Sequence, residues 1–89
     1  MTLNIYAIRD AKSGYMTPTF ELNDAVAMRN FEHACLNSDS LLFSHFEDFD
    51  LFRIGTYDTD SGCISDVVPQ QFVCSGATAL AVKKVHPDV

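Results

Sequence analysis

Several small groups of side chains in this sequence have the types that do chemistry, and their spacing decides what each can do. His33 and Cys35 stand close together, with His45 further on as a third candidate metal ligand and Cys63 or Cys74 as a fourth. Structural zinc sites pair their ligands two to five residues apart and do so twice. Here only His33 and Cys35 approach that spacing, and their place in the chain sets them on different sides of a helix. As a nucleophilic pair they lack a third, orienting group. Asp58-Thr59-Asp60-Ser61-Gly62 begins like a calcium loop. A calcium loop needs glycine at position 6 and a bidentate Glu at 12, whereas Gly62 falls at position 5 and no Glu follows. The segment reads as a hairpin turn.

Glu47-Asp48-Phe49-Asp50 gathers carboxylates beside an aromatic ring. Acid–base work would need burial to push their pKa values apart, and the polar run reads as a solvated acidic loop. The glycine-rich phosphate loops and the nucleophile elbow have no counterpart in the sequence. An enzyme is therefore not expected, nor is a cofactor or a metal. The remaining chemistry is that of Arg and Lys beside Tyr and Phe. Arg9, Lys12, Arg29 and Arg53, with Tyr6 and Tyr57, are the residues expected to contact single-stranded nucleic acid, where rings stack on bases and cations hold phosphates. Tyr15, Phe20 and Phe52 also stand on or beside strands, and Lys83 and Lys84 are the other bases. Half-exposed sheet rings or a subunit contact would account for the same residues.

One helix must organise these groups. Asn23 is a good N-cap, since its side-chain oxygen can accept from a free N–H of the first turn. Asp24 follows where the positive end of the helix dipole favours an anion. Ala27, Met28, Phe31, Ala34 and Cys35 make one apolar stripe at helical spacing, with Arg29, Asn30, Glu32 and His33 on the other side. The helix ends near Leu36-Asn37. Ser40 then caps a short second helical turn running toward Phe46.

The rest reads as strand and turn. Thr2 to Arg9 alternates as a strand, with Leu3, Ile5 and Ala7 on one face and Tyr6 and Ile8 on the other. After a turn closed by Gly14, Tyr15 to Phe20 returns as an edge strand, because Pro18 lacks a ladder donor. Leu51 to Tyr57 is the third strand and Cys63 to Val68 the fourth, stopped by Pro69, with a short extended piece from Gln70 to Cys74. The expected fold is α+β: one main helix on a four-stranded antiparallel sheet in the order β-β-α-β-β, the stripe facing Ile5, Ala7, Ile54 and Ile64 or their immediate neighbours. Residues 1–74 form the domain and 75–89 a poorly ordered tail. The turn Asp10 to Gly14 matches Asp58 to Gly62 at the Asp and at the Ser-Gly pair. Old duplication and recurring turn chemistry account for the match equally well.

Composition narrows the partners. The 89 residues suit one domain, and a hydrophobic fraction of 47% suffices for one core. The formal charge is −6, from 12 acidic and 6 basic residues, which opposes a general grip on phosphates. Three cysteines, an odd number without a Cys-x-x-Cys pair, suit free thiols in a reducing cytosol. With neither a leader pattern nor an apolar run near the ~20 residues of a membrane span, a soluble protein without membrane contact is expected. The small size and many rings lead us to expect self-association as a dimer.

Four runs then become recognisable together: Asn4–Asp10, Ser13–Tyr15, Asn23–Phe31 and Glu47–Asp58. They resemble the small non-structural protein of gokushoviruses, single-stranded DNA bacteriophages of the Microviridae, over residues 3 to about 72. The resemblance implies a protein made in the host cytoplasm and absent from the virion. It further implies a part in genome replication, or in the switch to single-strand synthesis and packaging, beside a phage or host replication protein. It brings no catalytic residues. The alternative is an acidic protein-binding module that self-associates and redirects a host or phage protein without touching DNA.

Overall fold

The computed structural model describes residues 1–79. Helix α1 runs Asp24–Leu36, and Asn23 caps it as its side chain foretold, Oδ1 accepting from the Val26 N–H at 2.9 Å. The short helix α2, Leu41–Ser44, is capped in the same manner by Ser40, whose Oγ accepts from Leu42 N–H at 3.0 Å. A 3-10 turn, Phe46–Asp48, leads from it into the sheet.

The sheet is antiparallel and five-stranded. Its strands are β1 (Thr2–Asp10), β2 (Gly14–Tyr15), β3 (Thr19–Glu21), β4 (Phe49–Asp58) and β5 (Ile64–Ser75). β1 and β4 lie side by side in the middle, β2 and β3 both pair with the free side of β1, and β5 forms the other edge. The class is the expected α+β, but the strand count differs. The expected second strand is broken in two, with Pro18 in the gap, where a residue without an N–H costs no ladder bond.

Pro69 does not end the last strand, which continues to Ser75. Arg53 pairs with Gln71 while Gly55 pairs with Asp66, so Val67 to Gln70 bulge opposite Ile54. Proline is tolerated there because the strand is an edge and its ladder is already interrupted.

Of the two faces of β1, the helix covers the one carrying Tyr6 and Ile8, the immediate neighbours of Ile5 and Ala7, and not the one carrying Ile5 and Ala7 themselves. Its stripe is buried as foreseen, with Ala27, Phe31 and Cys35 in the core and Met28 and Ala34 packed against it. The sheet side of that core is Tyr6, Phe49, Leu51 and Cys74, with Ile8 and Val73 partly buried. Ile5 and Ala7 are buried too, at 6% and 2% exposure, but outside this cluster and on the far face. Both faces of β1 are apolar, so alternation alone could not choose between them. The helix lies on the face where β4 presents Phe49 and Leu51 beside Tyr6 and Ile8.

Ser75, the expected start of the tail, is the last residue of β5, and residues 76–79 are helical. Ala79 is 3% exposed and belongs to the core. The remainder of the expected tail lies outside the described residues.

Candidate functional site

Since α1 shields one face of the sheet, the other face follows from register. Ile5 stands between Phe20 of β3 and Gly55 of β4, Ala7 is opposite Phe52, Leu3 opposite Tyr57, and Arg9 lies between Tyr15 and Asp50. β5 adds Phe72 beside Phe52, Asp66 beside Gly55 and Ile64 beside Tyr57. A β-bulge at Ile54 brings Gly55 onto the same face as Phe52. Gly55 must stay bare, because a Cβ there would lie 2.7 Å from the Ser65 carbonyl oxygen.

The rings form two edge-to-face groups. Tyr15 meets Phe52 at 5.8 Å and Phe52 meets Phe72 at 5.8 Å, while Phe20 meets Tyr57 at 5.4 Å. Such contacts add about 0.5–1.5 kcal/mol each beyond burial, so the rings hold one another in place on an uncovered surface. Tyr15 is 48% exposed, Phe20 46%, Phe72 60% and Ile64 63%. An antiparallel sheet with one solvated face normally carries polar groups there. This one carries an aromatic platform.

The structure divides the residues expected to meet nucleic acid. Arg9 and Tyr57 lie on the open face, and Lys12 is exposed in the β1–β2 turn, beside Ser44 to Asp48. Arg29 is exposed on α1, behind the sheet. Tyr6 is 0% exposed and in the core, so its ring is not offered to a base. Its hydroxyl donates to Asp24 and accepts from Asn4 Nδ2 at 3.1 Å, tying sheet to helix. Burial, reinforced by the Asp24 bond, pushes the Tyr6 phenol up to about 12. Arg53 pairs with Tyr6 across β1 and β4 and donates through Nη2 to Gln71, while its buried Nε has no partner. It sits on the helix side of the sheet.

Phe72 is the platform residue that sequence reasoning missed. The β-branched and aromatic character of Gln70 to Cys74 pointed to it, but Pro69 was read as the end of the strand.

The other groups stay apart. Cys35 is 0% exposed and His33 is exposed on the other side of α1. Burial pushes the thiols of Cys35 and Cys74 up to about 11, which leaves them poor nucleophiles. Among the described residues, groups of three or more His, Cys, Asp or Glu placed to hold a metal ion are absent. The two turns that echo each other in sequence are alike in structure. Asp10 accepts from Lys12 N–H at 2.9 Å, Asp58 accepts from Asp60 N–H at 2.9 Å, and each bond holds its carboxyl below the usual range. Gly14 and Gly62 close these turns with φ of 108° and 76°, where a side chain would be strained. Among the described residues no helix is long and apolar enough to cross a membrane.

The chain is thus a small α+β sheet protein with one face under a helix and the other face open and aromatic. It belongs to the phage ORF5 protein family, whose model matches residues 3–79. The match runs past residue 72 to the buried Ala79, so the segment after β5 is part of the family's pattern. Comparison with curated proteins and with solved structures found no match.

Proposed function

We propose that this phage protein is a non-structural accessory factor of a single-stranded DNA phage of the gokushovirus kind. It acts in the host cytoplasm, in genome replication or in the switch to single-strand synthesis and packaging, and catalyses no reaction of its own. Single-stranded DNA lies across the open sheet face. The observation that carries this reading is the platform of Tyr15, Phe20, Phe52, Tyr57 and Phe72, the first two and the last exposed and the others half-buried, on a surface that in a free monomer would be polar. Stacking on such rings is worth about 1–3 kcal/mol per base and tolerates any sequence. Arg9, at one end of the platform, and Lys12, in the turn beyond it, supply the phosphate contacts.

Titration of labelled oligothymidylate over a salt series tests this. Phe20→Ala and Tyr57→Ala each weaken binding by about 5- to 150-fold. With two phosphate contacts the logarithmic salt slope is about −1.4, and replacing Arg9 and Lys12 by Ala brings it toward zero. Arg29→Ala leaves affinity unchanged. Failure to bind at low salt sinks the reading. The excess of acids, −6 overall, favours the second reading, an acidic module that docks a basic phage or host replication protein by charge complementarity.

A further inference from the structure

We propose that in the free protein the open sheet face is covered by a second copy of the same chain, the two aromatic platforms packing face to face about a twofold axis. At 46–60% exposure, Tyr15, Phe20 and Phe72 each leave on the order of 100 Å² in water. With Ile64, 63% exposed beside Tyr57, the exposed apolar surface of the face is about 400 Å², the size of patch that on a soluble monomer is often functional. That is half of the roughly 800 Å² per partner of a standard interface. The half-buried Leu3, Phe52 and Tyr57 and the polar rim lie on the same face and can supply the rest.

Charge favours a second copy as the occupant. By register the face carries Arg9, Asp50 and Asp66 and so holds little of the net −6. Arg9 is the register partner of Asp50, so these two charges offset each other and Asp66, level with Ile5 and Gly55, is left as the one uncompensated charge of the face. On a chain of −6 this nearly neutral apolar face is where two copies, related by a twofold axis, repel each other least. The remaining acids lie off the face, where the repulsion between copies is screened by salt. One consequence rests on the DNA reading above. Because both occupants need the same rings, single-stranded DNA must displace the second copy, and dimer and DNA complex exclude each other.

Sedimentation velocity of the full chain from 1 to 200 µM, with and without oligothymidylate, tests both parts. The free protein should run at twice the 9.9 kDa chain mass. Phe72→Lys and Ile64→Lys should each weaken the dimer at least tenfold with an unchanged circular dichroism spectrum, since both side chains are exposed in the fold. Leu41→Lys, on α2 and 58% exposed, should leave the dimer intact. A monomer throughout the range, or a Phe72→Lys variant as dimeric as the parent, overturns the face-to-face dimer. An oligonucleotide bound to an intact dimer overturns the exclusion. A dimer that needs Phe72 but ignores DNA supports the self-contact and removes the DNA reading alone.

Discussion

Tyr6 offers the sharpest test of this fold, because its ring and its hydroxyl make separable contributions. The ring is 0% exposed among Phe31, Leu51 and the rest of the core, and the hydroxyl bridges Asn4 and Asp24. Tyr6→Ala removes both and should cost about 3–5 kcal/mol, the usual figure for emptying a buried aromatic site. A domain of this length has on the order of 4–13 kcal/mol in total, so the variant is marginal or unfolded. Tyr6→Phe keeps the ring and loses the hydroxyl bonds. Since Asp24 is exposed and water can replace its donor, the cost is about 1 kcal/mol. Urea denaturation followed by far-UV circular dichroism measures both. With a slope near 1 kcal/mol/M, Tyr6→Phe lowers the midpoint by about 1 M.

The same pair of variants reads the proton linkage of Tyr6. Its phenol is raised from 10.0 to about 12 in the fold, so below pH 10 the contribution is fully present. As pH climbs, the unfolded chain ionises first, and about 2 kcal/mol is lost by pH 12. Cys35 and Cys74, raised from 9.0 to about 11, act in the same direction from pH 9 upward. The parent should therefore lose stability above pH 9, and Tyr6→Phe should fall less steeply between pH 10 and 12. A Tyr6→Ala variant within 1 kcal/mol of the parent, or identical alkaline slopes for parent and Tyr6→Phe, would refute the placement of this side chain.

The remaining predictions concern other parts of the fold. Under reducing-agent-free native conditions a disulfide-exchange reagent should modify Cys63 fast and Cys35 and Cys74 only at the rate of opening, because only Cys63 is exposed; three equally fast thiols would contradict the core. Gly55→Ala, whose Cβ would meet the Ser65 carbonyl oxygen at 2.7 Å, should cost about 1–3 kcal/mol in thermal or urea unfolding. Asn23→Ala removes the acceptor for the Val26 N–H and should cost about 1 kcal/mol, while Asn23→Asp should cost little. Small-angle scattering of a dimer-breaking variant should approach the radius of gyration of 13.6 Å, against about 18 Å for a compact dimer.

Local features of this chain were legible residue by residue. Asn23 and Ser40 each have a side-chain acceptor that satisfies a first-turn N–H, so both helix starts are written in single residues. The spacing of Ala27, Phe31 and Cys35 defines a buried stripe whatever lies beneath it, and Asp10 to Gly14 and Asp58 to Gly62 carry the side-chain bonds and positive φ of their turns. The family, too, is carried by runs of adjacent residues. Tertiary structure decided what depends on partners distant in sequence. Period-two alternation gives β1 two apolar faces, and the helix lies on the one where β4 presents Phe49 and Leu51 beside Tyr6 and Ile8, which leaves Ile5 and Ala7 behind the open platform. Pro69 reads locally as a stop, yet an edge bulge opposite Ile54 absorbs it and carries Phe72 to the side of Phe52. The candidate site shifted for the same reason. Arg9 and Arg53 look alike as cations on neighbouring strands, but a one-residue change of register moves a side chain to the other face of a sheet. The β4 bulge at Ile54 thus brings Tyr57 to the open face, and Arg53 stays with Tyr6 beneath the helix.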